Sequence, residues 1–317
     1  MGYPRAYTVD PDHAGFYHCV SRCVRRAWLC GQDPVSGRCF EHRRGWIEQR
    51  LLSLAESFAV GLYAWAVLSN HTHVVLRIDP RLPQNWTDEE IARRWARLDR
   101  KLEPVPQDQV AQRVERLLRQ PERIAELRTR LGSLSWFMRY LNEGIARAAN
   151  GEDRCGGRFW EGRYRSQALL DDAAVTACMA YVDLNPIRAG IADELADSKF
   201  TSIQRRLRSL AADPRAQGAP LEPLAGVRGS RATRLTVGAY VELVDCTGRM
   251  VRPGKRGSIP DHAVAALAAI RGSPAWWTGC VSRIEAAFGS VVGLPRTLRQ
   301  RAEETGRRCL RGAGASC

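Results

Sequence analysis

The chain has 317 residues, 44% hydrophobic and 26% charged, so it can bury a sizeable core and exceeds one typical domain. Its 48 Lys and Arg face 34 Asp and Glu, a net charge of +14, and nearly all of the basic side chains are Arg. The planar Arg fork fits phosphate oxygens, so this balance points to nucleic acid, and no apolar run reaches the length of a membrane span.

No stretch reads as a secretion signal, which makes the cytoplasm the expected location and reduced thiols the expected state of the ten cysteines. Residues 16–24, FYHCVSRCV, mix apolar, aromatic and small side chains as a strand does. Cys19, Cys23, Cys30 and Cys39, near His18 and His42, have no CxxC spacing and read as small buried hydrophobes rather than zinc ligands. Gly31, Asp33, Pro34, Ser36 and Gly37 mark a loop, and Trp46, Ile47, Leu51, Leu54 and Phe58 then recur at helical intervals. Residues 59–68 and 73–78 read as two strands joined by a bend at Ser69 and Asn70. Strand, helix and two adjacent strands make half of a ferredoxin-like sheet.

Residues 80–130 become Pro-rich and then Arg-, Glu- and Leu-rich, with Ile91, Trp95 and Leu98 at helical spacing, as an inserted pair of charged helices would be. A helix is expected over 133–149, where Leu134, Phe137, Met138, Leu141 and Ile145 form one stripe. A strand is expected over 158–170, RFWEGRYRSQALL, followed by a helix over 173–185 that Asp171 or Asp172 caps and Pro186 ends. Residues 208–233, rich in Ala, Pro, Gly and Arg, read as a linker. Beyond it, 234–317 holds the apolar stretch Tyr240–Val244, the basic run Arg249–Arg256 and helical segments near 261–289 and 296–310. From 209 onward there are 16 Lys and Arg against 8 Asp and Glu. With Trp276, Trp277, Arg296, Arg299, Arg301, Arg307 and Arg308, this region reads as an accessory DNA-binding unit or as a solvated basic face.

Two segments carry chemistry. In SNHTHVVL, residues 69–76, side chains at i and i+2 of a strand share a face, so His71 and His73 can converge on one metal ion. Alone, the spacing also suits surface histidines and other metal enzymes. In the 177–190 segment ACMAYVDLNPIRAG, Tyr181 and Asn185 lie one helical turn apart and would offer a phenol and an amide oxygen to one point. The competing reading is a packed helical Tyr followed by an Asn-Pro stop. Between them, Arg158, Phe159, Trp160, Arg163, Tyr164 and Arg165 form a basic, aromatic segment that suits phosphates and unpaired bases, or else a packed edge strand. Arg188 suits a phosphate contact or the helix C-terminus.

SNHTHVVL, GGRFWEGRYRSQALL and AYVDLNPIRAG in this order resemble the REP-associated tyrosine transposases, relatives of the single-tyrosine HUH transposases of small insertion sequences. The likeness runs from about Gly15 to Phe200. It departs at Thr72, where the family usually has a hydrophobic residue, and in the length of the insertion and tail. The resemblance implies an α+β fold with helices on one face of a ferredoxin-like antiparallel sheet, and a catalytic unit over 1–207. It also implies Mg²⁺ or Mn²⁺ held by His71, His73 and Asn185, with Tyr181 as the nucleophile that forms a 5′-phosphotyrosine. Arg158, Trp160, Arg163, Arg165 and Arg188 are the expected DNA contacts. The implied partner is single-stranded or palindromic hairpin DNA, bound by a monomer or homodimer without a nucleotide cofactor. A water-using metal phosphodiesterase and a non-cleaving DNA-binding protein are the alternatives.

Overall fold

Three strands whose side chains alternate in register set the centre of the sheet. In the computed structural model, which describes residues 8–24, 28–34, 36–229, 232–251 and 261–312, β1 (Gly15–Arg22) lies between β3 (His71–Ile78) and β4 (Arg165–Leu169), antiparallel to both. β2 (Val60–Val67) pairs with the far side of β3, and all of its residues are buried. β3 starts two residues earlier than the apolar pattern implied, so His71 belongs to the strand itself. The strand expected over 158–170 is regular only in β4; before it, Trp160 makes an isolated bridge to Cys23. Two short strands, β5 (Ala225–Gly226) and β6 (Val291–Val292), complete a mostly antiparallel sheet of order β5-β2-β3-β1-β4-β6.

Helices cover both faces of this sheet, not the single face expected. α1 (Arg43–Ser57) and α5 (Leu134–Glu152) lie on one side, where Ser21 of β1 donates to Asn142 of α5 at 3.1 Å. α6 (Asp172–Asp183) lies on the other, where the ring of His18 meets Tyr181. Ser21 and His18 differ by an odd number along β1, so they point to opposite faces. Strands buried on both sides need cover on both sides, which explains the uninterrupted burial of β2.

The 80–130 insertion contains three helices rather than a pair: α2 (Asp88–Ala96), α3 (Gln107–Leu118) and α4 (Pro121–Leu131). Thr87 caps α2 by accepting from the backbone N–H of Glu90, and Ile91 and Leu127 are fully buried. Past α6, Leu184 interrupts the helix, and Pro186 occupies the first turn of a short α7 (Asn185–Arg188). None of the helices among the described residues is long and apolar enough to cross a membrane.

Residues 208–233 are not an extended tether. α8 (Ser202–Ala212) runs into them, Leu221 is fully buried, and β5 pairs with β2. Gly226 adopts φ +82°, and a Cβ there would lie 2.0 Å from the carbonyl oxygen of Val60. Part of the glycine content thus serves a close backbone approach rather than flexibility. The remainder comprises α9 (Val237–Val251), α10 (Asp261–Ala269), α11 (Pro274–Ala287) and α12 (Pro295–Glu304). Tyr240, Leu243, Val244 and Trp277 are fully buried in the same core as the sheet. Most of the basic run Arg249–Arg256 lies outside the described residues.

Asp183, at the end of α6, binds these parts together. Its fully buried carboxylate accepts from the Ser202 hydroxyl, from the Ile203 N–H at 3.0 Å and from the Tyr240 hydroxyl at 2.5 Å. Buried Arg206 donates to the Tyr63 carbonyl oxygen at 2.7 Å and lends positive charge to the same pocket. Asp183→Ala leaves buried donors without acceptors, and is expected to cost about 2–4 kcal/mol in denaturant unfolding. Burial pushes the Asp183 carboxyl up to about 6 from 3.8, its hydrogen bonds opposing the shift. Between those values the folded state holds a proton that the unfolded chain releases. This group's contribution is therefore full below about 4 and is lost as pH rises through 6. Unfolding titrations should show that fall in the parent protein and lack it in Asp183→Asn.

Candidate active site

Cross-strand register builds a histidine cluster. His18 of β1 pairs with Gln167 of β4, while Val20 pairs with His73 of β3. Side chains in these rows share a face, so Gln167, His18, His71 and His73 all rise toward α6. His18 Nε2 and His73 Nδ1 are 2.9 Å apart, and the two rings stack at 5.2 Å. The rings of His71 and His73 meet edge to face at 4.8 Å. His71 Nδ1 donates to Asn70 Oδ1 at 2.6 Å, an arrangement that holds the ring at the mouth of the hairpin.

α6 brings Tyr181 over this cluster. Asp171 caps the helix by accepting from the Ala174 N–H, and its other oxygen accepts from the Leu294 N–H, each at 2.8 Å. The ring of Tyr181 lies 5.7 Å from that of His73 and 6.1 Å from that of His18. Its hydroxyl donates to Glu285 Oε1 of α11 at 3.0 Å. The guanidinium of Arg188 covers the Tyr181 ring at 3.9 Å and donates to the carbonyl oxygens of Val281 and Ser282 at 2.7 and 3.2 Å. Glu285 also lies 3.8 Å from Arg165 and 4.0 Å from His73 Nδ1. Arg283, with non-helical φ −148° and ψ 38°, interrupts α11 just before Glu285.

Burial keeps this cluster uncharged. It lowers His18, and it drives His73 well below the usual histidine range with help from the neighbouring His18 and His71. Burial first, and the charge of Arg22 second, bring His71 down to about 4. Neutral imidazoles retain the lone pairs that metal binding requires. Burial and the negative Glu285 push the Tyr181 phenol up to about 12 against the opposing Arg188, so near neutral pH it is a protonated donor. His73 Nε2 is buried and makes no hydrogen bond. Such an orphaned acceptor carries a desolvation cost that a metal–ligand bond would offset.

Of the expected site residues, His71, His73 and Tyr181 come together, and Arg165 joins them through Glu285. Asn185 is buried at the start of α7, beyond the break at Leu184, so it does not share an uninterrupted helix with Tyr181. Among the described residues its side chain does not hydrogen-bond to either histidine. Trp160 is 8% exposed, donates to the Asn142 carbonyl oxygen at 2.8 Å and packs edge to face on Phe159. Its ring belongs to the core and is not offered to bases. Arg188 braces α11 and the Tyr181 ring, in place of the open phosphate contact expected of it. Arg158, Arg163 and Arg165 are exposed; Arg163 and Arg165 line a cleft of about 550 Å³ with His18, Gln167, Glu285 and Arg311. Tyr164, the other tyrosine of this segment, is buried just before β4.

Cys19, Cys23 and Cys30 are buried as small hydrophobes would be, whereas Cys39, expected to be buried with them, is exposed. Among the described residues no three His, Cys, Asp or Glu form a ready cation cage. Sequence reasoning missed His18, Gln167 and Glu285. The first two could be found only from strand pairing, and Glu285 lies more than one hundred residues past Tyr181 on a helix without a recognisable motif.

No family model and no curated protein matches the sequence. A solved structure of a REP-associated tyrosine transposase bound to a REP hairpin is similar to this chain over 66% of its length and 86% of that chain, with 12% identity and a TM-score of 0.39.

Proposed function

We propose that this protein is a single-tyrosine DNA-nicking and strand-transfer enzyme, a transposase of the HUH type, with Tyr181 as its nucleophile. The observation that supports it best is the Tyr181 hydroxyl, 3.0 Å from the Glu285 carboxylate, on a ring 5.7 Å from that of His73, whose buried Nε2 makes no hydrogen bond. The four-strand order β2-β3-β1-β4 agrees with a ferredoxin-like core, and the motif order in the sequence supports the same family.

His71 and His73 would hold Mg²⁺ or Mn²⁺, with Asn185 as a third, oxygen ligand. A cation bound there supplies positive charge that polarises the scissile phosphate. Glu285 accepts the proton of Tyr181, and the phenolic oxygen bonds to phosphorus. The bond from phosphorus to the 3′ oxygen breaks, and that oxygen takes up a proton and leaves as a free 3′-OH. The 5′-phosphotyrosine keeps the phosphodiester energy, so the reverse attack rejoins strands without ATP. Exposed Arg158, Arg163 and Arg165 would follow the backbone of single-stranded or hairpin DNA.

Tyr181→Phe removes only the hydroxyl, and should retain folding and DNA binding while yielding no covalent protein–DNA adduct on a denaturing gel. Tyr164→Phe is the control and should still form it. An adduct that survives the first change and not the second reassigns the nucleophile, and cleavage that survives both makes water the attacking group. His71→Ala and His73→Ala should each abolish Mn²⁺-dependent adduct formation while leaving DNA affinity in a mobility-shift assay largely intact.

Glu285→Gln keeps a hydrogen-bonding side chain but removes the proton acceptor. Adduct formation should fall roughly 10²–10⁴-fold, the usual range for loss of a general base, and recover as pH rises. A rate that is unchanged or increased would make Glu285 a restraint on Tyr181 instead.

A further inference from the structure

A buried amide fixes the direction of a hydrogen-bond chain that ends at His73. Gln167 Nε2 donates to the Gly289 carbonyl oxygen at 2.7 Å, which turns Oε1 toward His18 Nδ1 at 3.1 Å. An amide oxygen only accepts, so His18 carries its proton on Nδ1. Neutral His18 then accepts at Nε2, and the donor 2.9 Å away is His73 Nδ1–H. A neutral His73 protonated at Nδ1 has a bare lone pair at Nε2, the buried atom without a partner. Flipping the amide would set two carbonyl oxygens against each other at Gly289. A second proton on His18 would reverse the last bond and leave a buried N–H at His73 Nε2 without an acceptor.

We propose that Gln167 and His18 form a positioning relay that holds His73 in its Nδ1–H tautomer and so presents the Nε2 lone pair to a divalent cation. The inference rests on the metal-dependent reading above and adds two residues to it. Without the relay, His73 can place its proton on either nitrogen, and the Nε2–H form has no lone pair at that nitrogen to offer a metal. Gly289 anchors the first amide in the segment between α11 and β6, so the C-terminal region orients a ligand on a central strand.

The test uses the full-length protein. ¹⁵N NMR of the metal-free protein should show His73 protonated at Nδ1 and bare at Nε2. Mn²⁺ titration followed by EPR should then show affinity falling about 10–100-fold in Gln167→Leu, the range typical when a group orienting a metal ligand is lost. Gln167→Glu loses the Gly289 anchor as the Leu variant does but keeps an acceptor for His18, and should retain Mn²⁺ affinity. A wild-type His73 protonated at Nε2, or equal Mn²⁺ affinity in Gln167→Leu, overturns the relay and leaves the nicking reading intact. Mn²⁺ binding to none of the three proteins overturns the metal centre and the relay with it. The wild-type NMR measurement decides the tautomer even if a variant fails to fold.

Discussion

The carboxylate of Asp183 sits where α6, α8 and α9 meet and accepts hydrogen bonds from the latter two. A charge taken out of water must be matched by donors, and here those donors come from segments 19 to 57 residues farther along the chain. The arrangement fixes the C-terminal turn of the helix that carries Tyr181 only two residues earlier. With Asp171 capping the other end, α6 is pinned at both termini, and the phenol has little room to drift from the histidines. Locking both ends of a helix in this way fixes the position of the side chains it carries.

The parts of the site that could be read in the sequence are those set by short-range periodicity. Alternation along a strand placed His71 and His73 on one face, and the Asp-Asp pair before an apolar stretch marked the start of α6. What could not be read depends on which strands pair and in what register. His18 and Gln167 become neighbours of His73 only because β1 lies between β3 and β4, and nothing local to either residue announces that. Helix coverage of both faces follows from the same tertiary fact. The Ala-, Pro- and Gly-rich composition of 208–233 suggested a tether, yet small residues also allow the close edge pairing seen at Gly226.

Side chains of the expected type are present but used differently. Trp160 fills core space and satisfies its indole N–H internally, while Arg188 is spent on carbonyl oxygens and the face of a tyrosine. Residue type narrowed their chemistry to ring packing for Trp160 and to donation from a cation for Arg188, and both still do that, toward protein rather than an external ligand. Arg163 and Arg165 are instead the expected arginines that line the cleft, the latter 3.8 Å from Glu285.

The parallel pairing of β6 with β4 has a consequence for synthesis. Val291 and Val292 emerge from the ribosome more than one hundred residues after their partners Ala168 and Leu169, and Glu285 shortly before them. Domains fold as their chain becomes available, and long-range pairings close last. The nascent chain therefore carries Tyr181 and both motif histidines for some time before the carboxylate beside the phenol can arrive. The timing of translation itself delays completion of this cluster until residues 285–292 have been made.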